Sequence, residues 1–378
     1  MSPQALRVRP ATEDDLDRLV AIHVAAFPDD RGAEARRRNF TANAFSGPGL
    51  RDLRVGVAPS GEIVAHAFLF QFGAFFAGHL VQTAGIASVG VAPEARGRGV
   101  ATALLGALHE EAAARGDAIA LLYPFRAAFY RRLGYAPVTP LARLTFSPRA
   151  IPASWHAPRS FRAARGDDLP ALVDVYLAHA RRTTGLLQRP ASLWERKLLN
   201  ERRHVIVLPR DDARGGPLDG YVTFRHAQRE PHAATDLEVD EIVAIDDAAR
   251  RALLAALAAQ RDQVREIHLI VPSADPLLLA LEDADRAREG TESVEHPLGV
   301  LAAGPMVKIL DVPRALAARG VTGALPVPIP AGVLAALAFG GVRAIDAVRL
   351  GWLDSTDKDA AALDACLALP PFEVVDPF

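Results

Sequence analysis

Ser88-Val89-Gly90-Val91-Ala92-Pro93-Glu94-Ala95-Arg96-Gly97-Arg98-Gly99-Val100-Ala101 reads as a strand end, a turn and a helix start joined by a loop of glycine and arginine. Ile86 to Val91 carries the strand, Ala92-Pro93 the turn, and Val100 to Leu108 an apolar helix. The first turn of a helix presents N–H groups without intrahelical partners and about half a positive charge, so it favours an anion. Gly97 and Gly99 keep side chains off the backbone there, and Arg96 and Arg98 add charge-assisted donors. The expected anion is a pyrophosphate. A Walker-type loop is excluded, because Gly99 is followed by Val100-Ala101 in place of Lys-Ser/Thr. A dinucleotide fingerprint fails too, since Gly97-Arg98-Gly99-Val100-Ala101-Thr102 lacks the third small residue.

The segments on either side read as an α+β unit. Leu6 to Pro10 alternates like a short strand, and Thr12-Glu13-Asp14-Asp15 starts a helix with Thr12 as N-cap. Leu16, Leu19, Val20 and His23 share one face of that helix, which marks His23 as a core histidine. Leu53 to Ala58 and Ile63 to Gln71 form a hairpin across Pro59-Ser60-Gly61-Glu62, and Leu80 to Val91 is the next strand. Beyond the loop come a buried strand, Ala118 to Tyr123, and a short helix, Ala127 to Leu133, closed by Gly134. Tyr135 to Phe146 reads as a further strand region.

After a proline-rich linker, Pro148 to Pro158, the opening recurs. Phe161 to Val173 superposes on Val8 to Val20 without a gap, with Arg, Ala, Asp-Asp-Leu and Leu-Val in register, which points to duplication. Where the first copy has its glycine and arginine loop, the second has Val243-Ala244-Ile245-Asp246-Asp247, with no glycine and two carboxylates that repel phosphate. The expected units are 1–147, 148–292 and a small C-terminal unit, 293–378. That last unit offers a strand at Met306 to Leu310 and helices over Ala331 to Leu350 (broken at Gly340-Gly341) and Asp359 to Leu369. The tail Pro370 to Phe378 is stiffened by three residues, Pro370, Pro371 and Pro377, and is aromatic, which predicts packing in place of fraying.

Composition narrows the function classes. The net charge of −2 gives no electrostatic basis for binding nucleic acid. No apolar run is long enough for a membrane span, and the first residues lack the apolar core of a signal peptide. Cytoplasmic residence is therefore expected. The single cysteine, Cys366, excludes an intrachain disulfide and a cysteine-based metal site, and no His/Asp/Glu spacing suggests a metal.

Arg96-Gly97-Arg98-Gly99-Val100-Ala101 resembles the acyl-CoA loop of the GNAT acetyltransferases, Arg/Gln-x-x-Gly-x-Gly/Ala. Ile119 to Tyr123 followed by Ala128-Phe129-Tyr130-Arg131-Arg132-Leu133-Gly134-Tyr135 is similar to the last strand and helix of that superfamily. A unit with the loop, a second copy without it and a small third unit together resemble the enhanced intracellular survival (Eis) family of bacterial N-acetyltransferases. Leu334 to Ala344 is similar to a helical segment of that family's sterol-carrier-like domain, here abridged, because Ala318 to Ala331 leaves little room for its strands.

The resemblance implies two tandem GNAT domains, acetyl-CoA as cosubstrate and an amine acceptor of aminoglycoside, polyamine or lysine type. It implies that Ser88, Val89, Gly90 and Val91 hold the pantetheine arm and that Arg96, Gly97, Arg98, Gly99, Val100 and Ala101 hold the pyrophosphate. Tyr130 matches the general-acid tyrosine, with Tyr135 read as core and Tyr123 as packing or cofactor-adjacent. A protonated tyrosine, with an ordinary pKa near 10, suits a departing thiolate of pKa about 8.5. The carboxylate of Phe378 corresponds to the one that orients or deprotonates the amine. Asp29, Asp30 and Glu34 border the acceptor pocket by the same resemblance, or are solvated loop acids. It further implies a homo-oligomer, commonly a hexamer. The alternative is a non-catalytic acyl-CoA-binding sensor or scaffold in which Tyr130 is structural.

Overall fold

The computed structural model describes residues 6–156, 159–198, 203–211, 215–228, 234–282, 297–370, 372–374, 376 and 378. The chain starts with strand β1 (Arg7–Pro10), helices α1 (Leu16–Ala26) and α2 (Ala33–Thr41), and a two-stranded ribbon, β2 (Ala42–Asn43) and β3 (Gly47–Pro48). Strands β4 (Leu53–Val57), β5 (Ile63–Phe76) and β6 (His79–Val91) follow, then α3 (Val100–Ala114), β7 (Ile119–Leu122), α4 (Ala127–Arg131), β8 (Ala136–Pro137) and β9 (Leu141–Phe146). The second copy comprises β10 (Arg162–Ala163), α5 (Leu169–Ala180), α6 (Ala191–Leu198), β11 (His204–Pro209), β12 (Leu218–Ala227), β13 (Thr235–Ala244), α7 (Asp247–Ala258), β14 (Val264–Pro272) and α8 (Leu277–Ala280). Last come β15 (Gly299–Ala302), β16 (Met306–Ile309), α9 (Val312–Ala318), α10 (Ala331–Phe339), α11 (Ala344–Arg349) and α12 (Asp357–Leu367).

The repeat read from sequence is a repeat in three dimensions. Arg9 grips Asp15 with two bonds of 2.6 and 2.8 Å, and Arg162 grips Asp168 with the same two distances. In each copy the aspartate also accepts a backbone N–H at the start of the helical segment, from Thr12 or Arg165. The sheets match as well, in the orders β1-β4-β5-β6-β7-β16-β8 and β10-β11-β12-β13-β14-β9-β15. In both, four antiparallel strands are followed by one parallel step, β6 to β7 and β13 to β14.

The expected boundaries at 147 and 293 meet one exchange. Tyr135 to Phe146 is not one strand region of the first unit: β8 lies in the first sheet, while β9 pairs with β14 over six residues of the second. The matching position beside β7 is filled by β16, from far along the chain. Ala142, Leu144 and Phe146 of β9 are buried in the second core, and Met306 and Val307 are buried in the first. Alternation tells which residues of a strand face inward, but not which sheet edge receives it. The linker is no loose connector either, for Ala150 and Ile151 are buried in the second core.

Period-two alternation sorts the first sheet into two faces. Phe68, Phe70, Phe72, Ala74 and Phe76 of β5 point to one core, with Ile119, Leu121 and Val307. Ala65, Ala67 and Leu69 point to the other, with Ala120, Leu122 and Leu104, Leu105 and Leu108 of α3. Helices α10 and α12 pack on the first of these faces, sharing its core with α1, and Phe339 meets Phe76 edge-on at 5.1 Å between ring centroids. Among the described residues, the segment beyond residue 302 has no sheet of its own.

Candidate active site

Strands β6 and β7 pair only at Thr83–Ile119, Ala84–Ala120 and Gly85–Leu121. Beyond Gly85, β6 runs on to Val91 beside β5 alone, so a seam opens toward the carboxyl ends of β6 and β7. Within it, Phe68 faces Ala87 and His66 faces Gly90, which leaves Ser88 and Val89 opposite the single residue Ala67. This bulge places Ser88 at φ +48°, in the left-handed region, and interrupts the regular ladder where the seam begins. Gly90 is required by its neighbour: a Cβ there would lie 2.5 Å from Nε2 of the buried His66.

The loop after β6 turns through Pro93–Ala95 and is tied down by Arg96, whose guanidinium donates to the carbonyls of Val91 and Ala25 at 3.3 and 3.0 Å. Arg96 therefore braces the loop as well as carrying charge. Arg98 is exposed and has no ion pair among the described residues. Gly97 and Gly99 have φ of +75° and +80°, and nothing lies within 4 Å of where their Cβ atoms would stand. The backbone conformation, rather than crowding, selects glycine here. Gly99 stands at the N-cap of α3 and no side chain caps the helix, so its first-turn N–H groups have no side-chain cap.

The second copy shows the contrasting case. Asp246 caps α7 with its own carboxylate, which accepts from Ala249 N–H at 2.7 Å and occupies the place an external anion would take. The carbonyl of Ala244, at the end of β13, takes hydrogen bonds from His179 Nδ1 and Arg182 Nη2, both at 3.0 Å. A cavity of about 690 Å³ opens nearby, with walls that include Ile242, Ala244, Leu337 and Leu363.

Tyr130 lies on the α3 face, 7% exposed, with its ring between Phe129 and Tyr135 at centroid distances of 5.0 and 5.8 Å. Its hydroxyl has no hydrogen-bond partner among the described residues, and burial pushes its pKa up, so it is a protonated donor at neutral pH. Tyr135 is a core residue, with its hydroxyl 2.8 Å from His109 Nε2. His23 is buried too, its ring stacked on His66 at 5.3 Å, and burial lowers their pKa values to about 4 and about 3.

Phe378 lies on the opposite face, at the root of the seam. Its ring is 3.3 Å from the Cβ position of Gly85, the last residue of β6 that pairs with β7. Phe45, Phe70, Phe72 and Tyr123 surround it at centroid distances of 6.0, 6.3, 5.1 and 6.1 Å. A strand over Ile63 to Gln71 was legible in the sequence, but not the cluster of rings that the phenylalanines of β5 form with Phe378. Burial and then the nearby Asp376 carboxylate push the hydroxyl pKa of Tyr123 up.

The acids expected at the acceptor pocket are largely engaged elsewhere. Asp29 accepts from Arg31 and Arg36, which hold its carboxyl low, at about 2, and Glu34 faces Arg38 at 3.5 Å on an exposed helical turn. Asp30 is exposed, without an ion pair among the described residues. The fold also gathers Asp236, Glu266 and His268 with ligand atoms within 4.8 Å, a grouping that sequence spacing did not reveal. Arg265 is bonded to both carboxylate oxygens of that Asp236, at 3.2 and 3.0 Å.

An acetyltransferase (GNAT) domain family matches residues 7–138, and a second acetyltransferase (GNAT) domain family matches residues 185–301. The N-acetyltransferases Eis of Mycobacterium tuberculosis and Mycobacterium bovis are each 30% identical to the chain over 320 residues, 82% of this chain and 75% of the relative. The chain belongs to the Eis family of GNAT N-acetyltransferases. It is an N-acetyltransferase, and GNAT acetyltransferases take their acetyl group from acetyl-CoA. Three solved structures share the whole fold. A GCN5-related N-acetyltransferase from Anabaena variabilis aligns with TM-score 0.80 and 20% identity over 97% of this chain and 98% of its own. One from Kribbella flavida gives 0.77 and 25% over 99% and 100%, and Eis1 from Mycobacterium abscessus gives 0.74 and 22% over 98% and 99%. No described helix is long and apolar enough to cross a membrane.

Proposed function

We propose that the chain transfers the acetyl group of acetyl-CoA directly to an amine at the seam between β6 and β7. The observation that carries this reading is the arrangement of three features about one opening in the sheet. The uncapped N-terminus of α3 lies beyond the end of β6, Tyr130 is on the same face, and Phe378 is on the other. In this reading Gly97, Arg98, Gly99, Val100 and Ala101 bind the pyrophosphate, while Arg96 braces the loop and adds charge. The unpaired edge of Ser88 to Val91 binds the pantetheine arm, and an N–H of that edge stabilises negative charge on the carbonyl oxygen. Tyr130 donates its proton to the leaving thiolate. The carboxylate of Phe378 orients the ammonium and relays its proton to water, a role that suits a group whose ordinary pKa is about 3.3–3.7 better than direct deprotonation does. Asp30 is the acid of the α1–α2 segment left to meet a cationic acceptor.

Family membership favours catalysis over a non-catalytic sensor. We read the second copy as lacking a CoA site, the helices α10 to α12 as a reduced sterol-carrier-like unit, and the assembly as a cytoplasmic homo-oligomer, a hexamer by resemblance. The function is tested by turnover on a panel of aminoglycosides, polyamines and lysine peptides, with and without a short Gly/Ser extension after Phe378. Turnover of at least one amine, lost on extension, is expected. Acetyl-CoA binding without turnover of any amine would favour the sensor, and an extended enzyme of full activity would remove Phe378 from the mechanism. Light scattering tests the oligomer.

A further inference from the structure

We infer that the second GNAT unit, whose own loop is closed to anions, serves as the anchor that sets Phe378 in the seam of the first, by clamping Asp376 with Arg189. This rests on the reading of Phe378 given above. Strand β13 keeps a seam of its own: its last pairing with β14 is Val239–Leu269, and Asp240 bulges between the pairings of Val239 and Glu241 with β12. Where the first unit leaves this edge open, the second places Glu241 there, bonded to Arg189 and to Lys197 of α6. The same Arg189 reaches the tail. Its Nε and Nη2 donate to the two carboxylate oxygens of Asp376 at 2.8 and 3.0 Å, and Lys197 Nζ lies 2.7 Å from that carboxylate.

Two cations and two anions balance there, with the Arg189 side chain 1% and the Asp376 side chain 3% exposed and Lys197 and Glu241 at 16% and 13%. The guanidinium is packed over the rings of Tyr176 and Trp194, 3.9 and 4.9 Å from their centroids, and Tyr221 takes a further bond from it. A planar fork packed against two rings and bonded at its edges fixes where Asp376 can sit, and only one residue separates Asp376 from Phe378. The path is fixed upstream too. Thr184 bonds to the tail through its hydroxyl (to Pro370 carbonyl, 2.9 Å) and its carbonyl (from Glu373 N–H, 2.9 Å), and His179 meets Glu373 at 3.2 Å. The segment after Thr184 is itself bonded to the end of β5, where Phe75 N–H donates to Leu186 and Gln188 N–H to Gly73. The stretch 184–189 of the second copy thus bonds both to the first sheet and to the tail, and His179 and Lys197 add further contacts to the tail. Arg189 and Asp376 are positioning residues, acting through Phe378.

The test compares Asp376→Asn, Arg189→Lys and the chain extended after Phe378, by steady-state kinetics on an accepted amine and by hydrogen exchange of the C-terminal peptide. Asp376→Asn keeps the shape but weakens the clamp, so faster exchange confined to the tail is expected, with kcat reduced at least tenfold and KM for acetyl-CoA within twofold. Arg189→Lys, a point donor in place of a fork, should fall between Asp376→Asn and the parent. If the extension abolishes turnover while Asp376→Asn leaves kcat and tail exchange unchanged, the clamp is wrong and the role of Phe378 stands. If the extended enzyme is fully active, the role of Phe378 fails, and the anchor is then decided by exchange alone: a loosened tail in Asp376→Asn supports it, and an unchanged one overturns it.

Discussion

Tyr130 combines a packed ring with an available hydroxyl: the ring lies among Phe129 and Tyr135, burial raises an already high pKa, and the hydroxyl has no hydrogen-bond partner among the described residues. Tyr130→Phe keeps the ring and removes only the donor, so kcat should fall by about 10²–10⁴ with little change in acetyl-CoA affinity, measured by kinetics and calorimetry. Unchanged kcat would assign Tyr130 to packing alone. Gly99 poses a conformational demand instead of a chemical one. At φ +80° an added Cβ costs about 1–2 kcal/mol and would stand in the open space where we propose the pyrophosphate binds. Gly99→Ala should therefore weaken acetyl-CoA binding about tenfold or more, a loss of about 1.4 kcal/mol per factor of ten, read directly by calorimetry. Equal affinity would move the pyrophosphate elsewhere.

At the scale of elements, helix ends separate the two copies. Helix α3 has no side chain capping its N-terminus, which is where we propose the pyrophosphate binds, whereas α7 fills its own with Asp246. The C-terminal helices depend on a different device. Arg319 is 4% exposed and donates to the carbonyls of Ala338, at the end of α10, and of Leu367 and Ala368, at the end of α12. A cation at two helix C-termini satisfies orphan carbonyls and opposes both dipoles. Burial lowers its pKa to about 10, which leaves it charged at neutral pH. Arg319→Met removes all three bonds at similar volume and should cost about 3 kcal/mol, measured by urea unfolding. A change below about 0.5 kcal/mol would mean that apolar packing alone fixes α10 and α12.

The whole molecule carries a pH dependence set by three buried histidines. His23, His66 and His109 are held neutral, mainly by burial, with pKa values of about 4, about 3 and about 3 against an ordinary 6.5. Unfolding releases them to take up protons the fold refuses. Their contribution is complete above about pH 6.5 and is lost as pH falls toward the folded values, at up to about 1.4 kcal/mol per pH unit for each. Urea unfolding at pH 7 and pH 5 should therefore show a marked fall in stability, and a flat profile would mean these rings are charged in the fold. The sequence alone determined the glycine and arginine loop between β6 and α3, the duplication, the core roles of His23 and Tyr135, and the buried face of α1. Those properties live in short-range patterns: periodicity, caps and glycine positions. Only the tertiary structure decided that β9 and β16 cross between sheets, that Asp29 and Glu34 are matched by arginines, and that Phe45, Phe70, Phe72 and Tyr123 enclose Phe378. It alone brought Arg189 to Asp376. Apart from the arginine matches of Asp29 and Glu34, which are local, each of these is a pairing between residues distant along the chain, and the apolar or charged character of one partner does not name the other.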